Sequence, residues 1–137
     1  MPGYLLDTNI LSDLVQHPRS GTAARQLALV RAHGGQDIST SIIAAAELRY
    51  GAAKRGSARL ARRVETILGV LDVLPLEAPP EVIYGRLRTD LERRGQPMGG
   101  NDLLIAAHAL AAQLTLVTDD RGFARIPELL RENWLAG

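Results

Sequence analysis

The chain has 137 residues, 46% of them hydrophobic, and a formal net charge of +1. That length and apolar fraction suit one globular domain, taken as residues 1–137, and exclude a disordered chain. The near-zero charge leaves no overall field that would mark a nucleic-acid binder, and the absence of cysteine excludes disulfides, thiolate metal sites and a cysteine nucleophile.

Tyr4-Leu5-Leu6 reads as a short buried strand running directly into Asp7. Asn9 to Gln16 has helical character and stops at Pro18 within the turn-rich HPRSG. A second helix from about Thr22 to His33 ends at Gly34-Gly35, the usual place for a left-handed cap. DISTS then predicts a strand that feeds a helix from Ile42 to about Lys54. The next helix is the most regular: Leu60, Val64, Ile67, Leu68 and Leu71 keep one face, and Arg55, Arg59, Arg62 and Arg63 gather on another. A strand in DVLPL follows, and Pro79-Pro80 opens a helix carrying Ile83, Leu87 and Leu91. GQPMGG breaks that helix. DLLIAAHALAA predicts a helix buried on most sides, TLV a strand, and LRENWL a final strand.

The longest apolar stretch, LLIAAHALAAQLTLV, is interrupted by His108 and Gln113 and is too short to span a bilayer. The opening MPGYLLD lacks the basic start and apolar run of a signal peptide, so a cytoplasmic protein without membrane association is expected. Strands alternating with helices predict an α/β fold of three layers, α/β/α, around a mostly parallel sheet. Ligands of such sheets collect outside the carboxyl ends of the strands. The acids near that edge are therefore the informative residues.

Asp7 follows the first strand and precedes a helix, where it either caps the helix or presents charge. Glu47 has Ile43, Ala44, Tyr50 and Gly51 as its helical neighbours, an apolar or small setting that suits a cation ligand or a buried ion pair. Asp102 begins the apolar helix, a position the helix dipole favours in any case, but Gly99, Gly100 and Asn101 already supply turn and cap. Asp119 and Asp120 follow the last strand, and turn chemistry accounts for one of them more easily than for two. Brought to one edge, these carboxylates repel unless some protonate or a divalent cation joins them. An all-oxygen donor set suits Mg²⁺ or Mn²⁺ rather than zinc.

At this point the chain resembles the PIN-domain proteins, and among them the VapC-type ribonuclease toxins of toxin–antitoxin pairs. The resemblance spans essentially the whole chain and rests on LLDTNIL, SIIAAAELRYG, NDLLIAAHAL and LVTDDRGFARIPELLRENW in that order. It implies that the family's four acids fall on Asp7, Glu47, Asp102 and Asp120. The shorter DDRGF spacing keeps Asp119 as the other candidate for the fourth position. The resemblance further implies an RNA substrate, a small antitoxin covering the active edge, and a homodimer. In the implied chemistry Asp7 and Asp102 ligate Mg²⁺ directly. Glu47 and Asp120 ligate through water or orient the attacking water, while Thr8, Asn9, Thr118 and Asp119 steady them.

Three other readings compete. A haloacid-dehalogenase-like phosphatase needs a second Asp two positions after Asp7, where Asn9 stands, and would make the single lysine, Lys54, its phosphate ligand. A non-catalytic PIN-like scaffold binding RNA or protein would have no need of a complete acid set. A histidine-driven ribonuclease needs an acid–base pair, which His17, His33 and His108 do not suggest. The Arg55/Arg59/Arg62/Arg63 face either makes phosphate contacts to RNA or is simply solvated.

Overall fold

The computed structural model describes residues 3–34 and 37–136. In chain order it contains β1 (Tyr4–Leu6), α1 (Thr8–Gln16), α2 (Thr22–His33), β2 (Ile38–Ser41), α3 (Ile42–Arg55), α4 (Ala58–Gly69), β3 (Asp72–Leu74), α5 (Pro80–Arg93), α6 (Gly100–Ala112), β4 (Thr115–Val117) and β5 (Arg131–Glu132). A five-residue 3-10 turn, Arg121–Arg125, precedes β5.

Local chemistry sets most of these boundaries. Ser41 and Ser57 accept hydrogen bonds from Ile43 N and Leu60 N, which caps α3 and α4. Gly56 closes α3 in the left-handed conformation and returns its N–H to the Ala52 and Ala53 carbonyls. Pro80 occupies the first turn of α5, where a missing N–H costs nothing.

Four expectations need correction. Gly34 has a positive φ of 66° but an extended ψ of 174°, so it turns the chain without the αL geometry, and Gly35 lies outside the described residues. Leu71 packs in the core from beyond the end of α4 rather than as part of its stripe. Asn101 lies inside α6, and the capping position falls to Gly99, which has no side chain to offer. The predicted DVLPL strand is trimmed to Asp72–Leu74, because Pro75 has no N–H for the ladder.

The five strands are all parallel and lie in the order β3-β2-β1-β4-β5. Leu5 pairs with Ser39 on one side and Leu116 on the other, and Leu6 with Thr40 and Val117. Leu5 and Leu6 point to opposite faces of the sheet and both are fully buried, so helices cover it on both sides, as the three-layer expectation requires. Ile10, Leu11, Leu14, Leu103, Ile105, Leu116 and Phe123 fill the core around them. From β1 the chain builds outward through β2 to β3, then crosses back by α5 and α6 to lay β4 on the other side of β1. The order therefore reverses between β1 and β4, and their carboxyl ends open onto the crevice where such sheets bind ligands.

Candidate active site

Asp7 leaves the end of β1 into that crevice. It is only 4% exposed, and both of its oxygens are engaged. Oδ1 accepts from Thr8 N at 2.8 Å, so the residue caps α1 as well as presenting charge. Oδ2 accepts from Thr118 Oγ1 at 2.7 Å and from Asn9 Nδ2 at 3.4 Å. Burial pushes the Asp7 carboxyl up, against the lowering effect of the Thr118 and Thr8 donors, and the nearby charges of Glu47 and Asp120 push it further.

Thr118, one residue beyond β4, is the node of the site. While donating to Asp7 it accepts from Asp120 N at 3.0 Å and from Asn9 Nδ2 at 3.4 Å. Asn9 completes the link by accepting from Asp119 N at 3.1 Å. The loop after β4 is thus stitched to the loop after β1, its neighbour in the sheet.

Glu47 enters from α3 and its Oε1 accepts from Thr8 Oγ1 at 3.0 Å. It is half-buried, and its helical neighbours Tyr50 and Gly51 are exposed, so the apolar surrounding expected on all sides exists only toward Ile43 and Ala44. Among the described residues it has no ion-pair partner; Arg49, two positions on, pairs with Glu65 instead. Asp102, in the first turn of α6, is the most perturbed acid. Loss of water pushes its carboxyl up to about 6, and the charges of Asp7, Asp120 and Glu47 act in the same direction. Among the described residues no donor bonds to it.

The two adjacent aspartates separate. Asp119 turns its side chain to Asn133, whose Nδ2 donates to it at 2.7 Å. Asp120 lies close enough to Asp7 and Asp102 to raise both, and its Oδ1 accepts from Gly122 N at 2.8 Å. That bond caps the 3-10 turn Arg121–Arg125, which the sequence reading missed although an Asp two residues before a Gly is its usual signal. Also missed was the contact of His108 with Ser41, Nδ1 to Oγ at 2.9 Å, which ties α6 to the start of α3.

The structure therefore brings Asp7, Glu47, Asp102 and Asp120 within electrostatic reach of one another and leaves Asp119 facing away. Among the described residues, no three acid or histidine side chains close round a point as a ready-made metal cage. The donor set nevertheless fits a hydrated divalent cation, since Mg²⁺ usually keeps several waters and takes only one or two carboxylates. Asp102 without a donor and Asp7 beside it are the two such a cation would use.

The phosphatase alternative finds no support here. Asn9 is spent holding Asp7 and the loop after β4, and Lys54 lies over the Tyr50 ring at 5.9 Å from its centre. Of the four expected arginines, Arg59, Arg62 and Arg63 line hollows on α4 away from the acids, while Arg55, at the end of α3, also lines a groove that reaches Glu47. No helix among the described residues is long and apolar enough to cross a membrane.

Comparison with known proteins finds likenesses along nearly the whole chain. Residues 4–129 match the PIN domain model. The chain is 40% identical over 134 residues to ribonuclease VapC2 of Rickettsia felis, covering 96% of this chain and 97% of that one. It is 31% identical to a tRNA(fMet)-specific endonuclease VapC of Shigella flexneri, with 96% and 97% coverage. In three dimensions it superposes on a chain of VapBC2 from Rickettsia felis bound to a DNA fragment from their promoter, with a TM-score of 0.86, 37% identity, and coverage of 96% of this chain and 98% of that one.

Proposed function

Because this chain belongs to the PIN-domain family, and within it to the VapC ribonucleases, we propose that it is an Mg²⁺-dependent endoribonuclease whose site is Asp7, Glu47, Asp102 and Asp120. The observation that carries the reading is the gathering of these acids at the switch point of the sheet, where loss of water and then the charges of Asp7, Asp120 and Glu47 push Asp102 up to about 6, and where among the described residues no cation pairs with any of the four.

A bound Mg²⁺, with Mn²⁺ as a substitute, supplies neutralising charge, shields the phosphate oxygens of RNA and acidifies a water for in-line attack. The residues of the chain do the rest. Asp7 and Asp102 would hold the cation. Asp7 is fixed by Thr8 N on one oxygen and by Thr118 and Asn9 on the other, so it cannot turn away as charge changes. Thr8 Oγ1 holds one oxygen of Glu47, leaving the other to orient water or take its proton. Asp120 is anchored through its backbone to Thr118 and through Oδ1 to Gly122, which leaves Oδ2 for the same task. Hydrolysis by this route leaves a 5′-phosphate and a 3′-hydroxyl.

The toxin role belongs to the same proposal. Its support is the likeness to chains of VapBC assemblies. The partner is a small antitoxin that covers the acid edge, and the toxin itself pairs as a homodimer in the cytoplasm. Light scattering of the purified protein tests the dimer.

The deciding experiment is cleavage of RNA, beginning with an initiator transfer RNA, by wild type and Asp7→Asn protein with and without EDTA. Cleavage by wild type in Mg²⁺ alone is expected. Equal cleavage in all four samples refutes the metal mechanism, and a 2′,3′-cyclic phosphate product refutes the in-line water.

A further inference from the structure

Beside the acids, a groove of about 520 Å³ runs between α1, α3 and α4, with Thr8 and Glu47 near one end and Lys54 and Arg55 near the other. Arg55 and Leu60 also line the next depression, about 400 Å³, whose remaining walls are Ser57, Arg59 and Arg63. The two hollows therefore share a wall and form one path leading away from the acids.

The charge along that path is uneven. Residues 54–63, KRGSARLARR, hold five of the sixteen basic residues and no acid, so the remainder of a chain of net charge +1 is acidic. Among the described residues Arg55, Arg59, Arg62 and Arg63 form no ion pair, whereas Arg49, Arg86, Arg88 and Arg94 are paired with carboxylates. Arg59 and Arg63 lie one turn apart on α4, a spacing at which like charges repel. Arg59 also falls in the first turn of α4, where the helix dipole disfavours a cation. An anion seated between the guanidinium groups offsets both costs.

Building on the ribonuclease reading above, we propose that Arg55, Arg59 and Arg63 form a phosphate-binding subsite for the single-stranded RNA flanking the scissile bond. Eight residues of α3 separate Glu47 from Arg55, a rise of about 12 Å, which an extended strand covers in a couple of nucleotides. Guanidinium forks suit phosphate oxygens at that distance and read no base, so the subsite adds affinity and direction without sequence choice.

The test is the salt dependence of binding. Binding of a short single-stranded RNA to wild type, to an Arg55→Gln/Arg59→Gln/Arg63→Gln variant and to the matching triple lysine variant is measured in EDTA across a range of NaCl. Loss of three contacts flattens the slope of log K against log salt by about 2, taking 0.7 per phosphate on a single strand. The lysine variant, whose charge is intact, keeps most of the slope and guards against a folding artefact. An Arg25→Gln/Arg93→Gln control, with its changes elsewhere on the surface, leaves the slope where it was. An unchanged slope in the glutamine variant overturns the subsite while leaving the ribonuclease reading intact, provided wild type still cleaves in Mg²⁺. A glutamine variant that loses antitoxin binding but keeps RNA binding assigns the surface to the protein partner and overturns it equally. Wild type that neither binds nor cleaves RNA sinks both readings.

Discussion

Replacing Asp102 by Asn should make the metal-free protein more stable while destroying its proposed activity. The Asp102 carboxyl is raised from 3.8 to about 6, so between those values the folded protein binds the proton more readily than the unfolded chain does. Its contribution to stability therefore falls as pH rises through that window, and the full penalty applies above it. Two pK units correspond to about 3 kcal/mol at 1.36 per unit. Asp102 is only partly buried, and solvent screening reduces this to about 1.5–2 kcal/mol. Asp102 also sits in the first turn of α6, where its charge is favoured by about 0.5 kcal/mol that Asn forfeits. A net gain near 1 kcal/mol remains, which for a chain of this size raises the melting temperature by about 3–4 °C. The assay is thermal unfolding followed by circular dichroism in EDTA at pH 8 and again at pH 3.5. The variant should melt higher at pH 8, the difference should vanish at pH 3.5, and added Mg²⁺ should raise wild type alone. An Asp102→Asn protein that melts at or below wild type at pH 8 would mean that neither lost water nor the neighbouring acids burden the Asp102 charge, and the case for a cation at this edge would fail.

Thr118→Val removes the shortest donor to a buried Asp7 oxygen and the acceptor for Asp120 N, so we expect a loss of about 1–3 kcal/mol and of most RNA cleavage, read by urea unfolding and a gel assay. Gly3→Ala places a Cβ 2.6 Å from the Asp37 carbonyl oxygen at the start of the central strand; the same unfolding assay should show a cost of about 1–3 kcal/mol. His108 is buried and its pKa is lowered by that burial. Its stabilising effect is thus complete above pH 6.5 and is lost as pH falls from there toward its folded value. His108→Gln should remove that acid-side loss from the stability curve, and an unchanged curve would show that His108 does not titrate on unfolding.

Much of the fold was legible because its elements are short and punctuated. Pro80, Ser41, Ser57 and Gly56 mark helix ends through local chemistry that needs no tertiary context. Burial on both faces of β1 appears directly as an unbroken apolar run. The acids could be collected from strand ends because a parallel sheet brings those ends to one edge. What stayed hidden depends on contacts between distant segments. The sequence cannot show that Asp119 turns to Asn133 and Asp120 does not, since that choice rests on β5 lying beside β4. Thr118 was among the residues expected to steady the acids, but that its one hydroxyl joins Asp7, Asn9 and the Asp120 backbone at once depends on β4 lying beside β1. Glu47 looked more enclosed than it is, because helical spacing reports which residues are neighbours and not which of them water reaches.

The late placement of β4 has a consequence during synthesis. Asp7, Glu47 and Asp102 are all translated before Thr115–Val117 exist to dock against β1 and carry Thr118 and Asp120 into place. A chain that has not yet docked β4 on β1 holds three of the four acids without Thr118 or Asp120, so completion of the site waits on a strand pairing that forms only after most of the chain has been made.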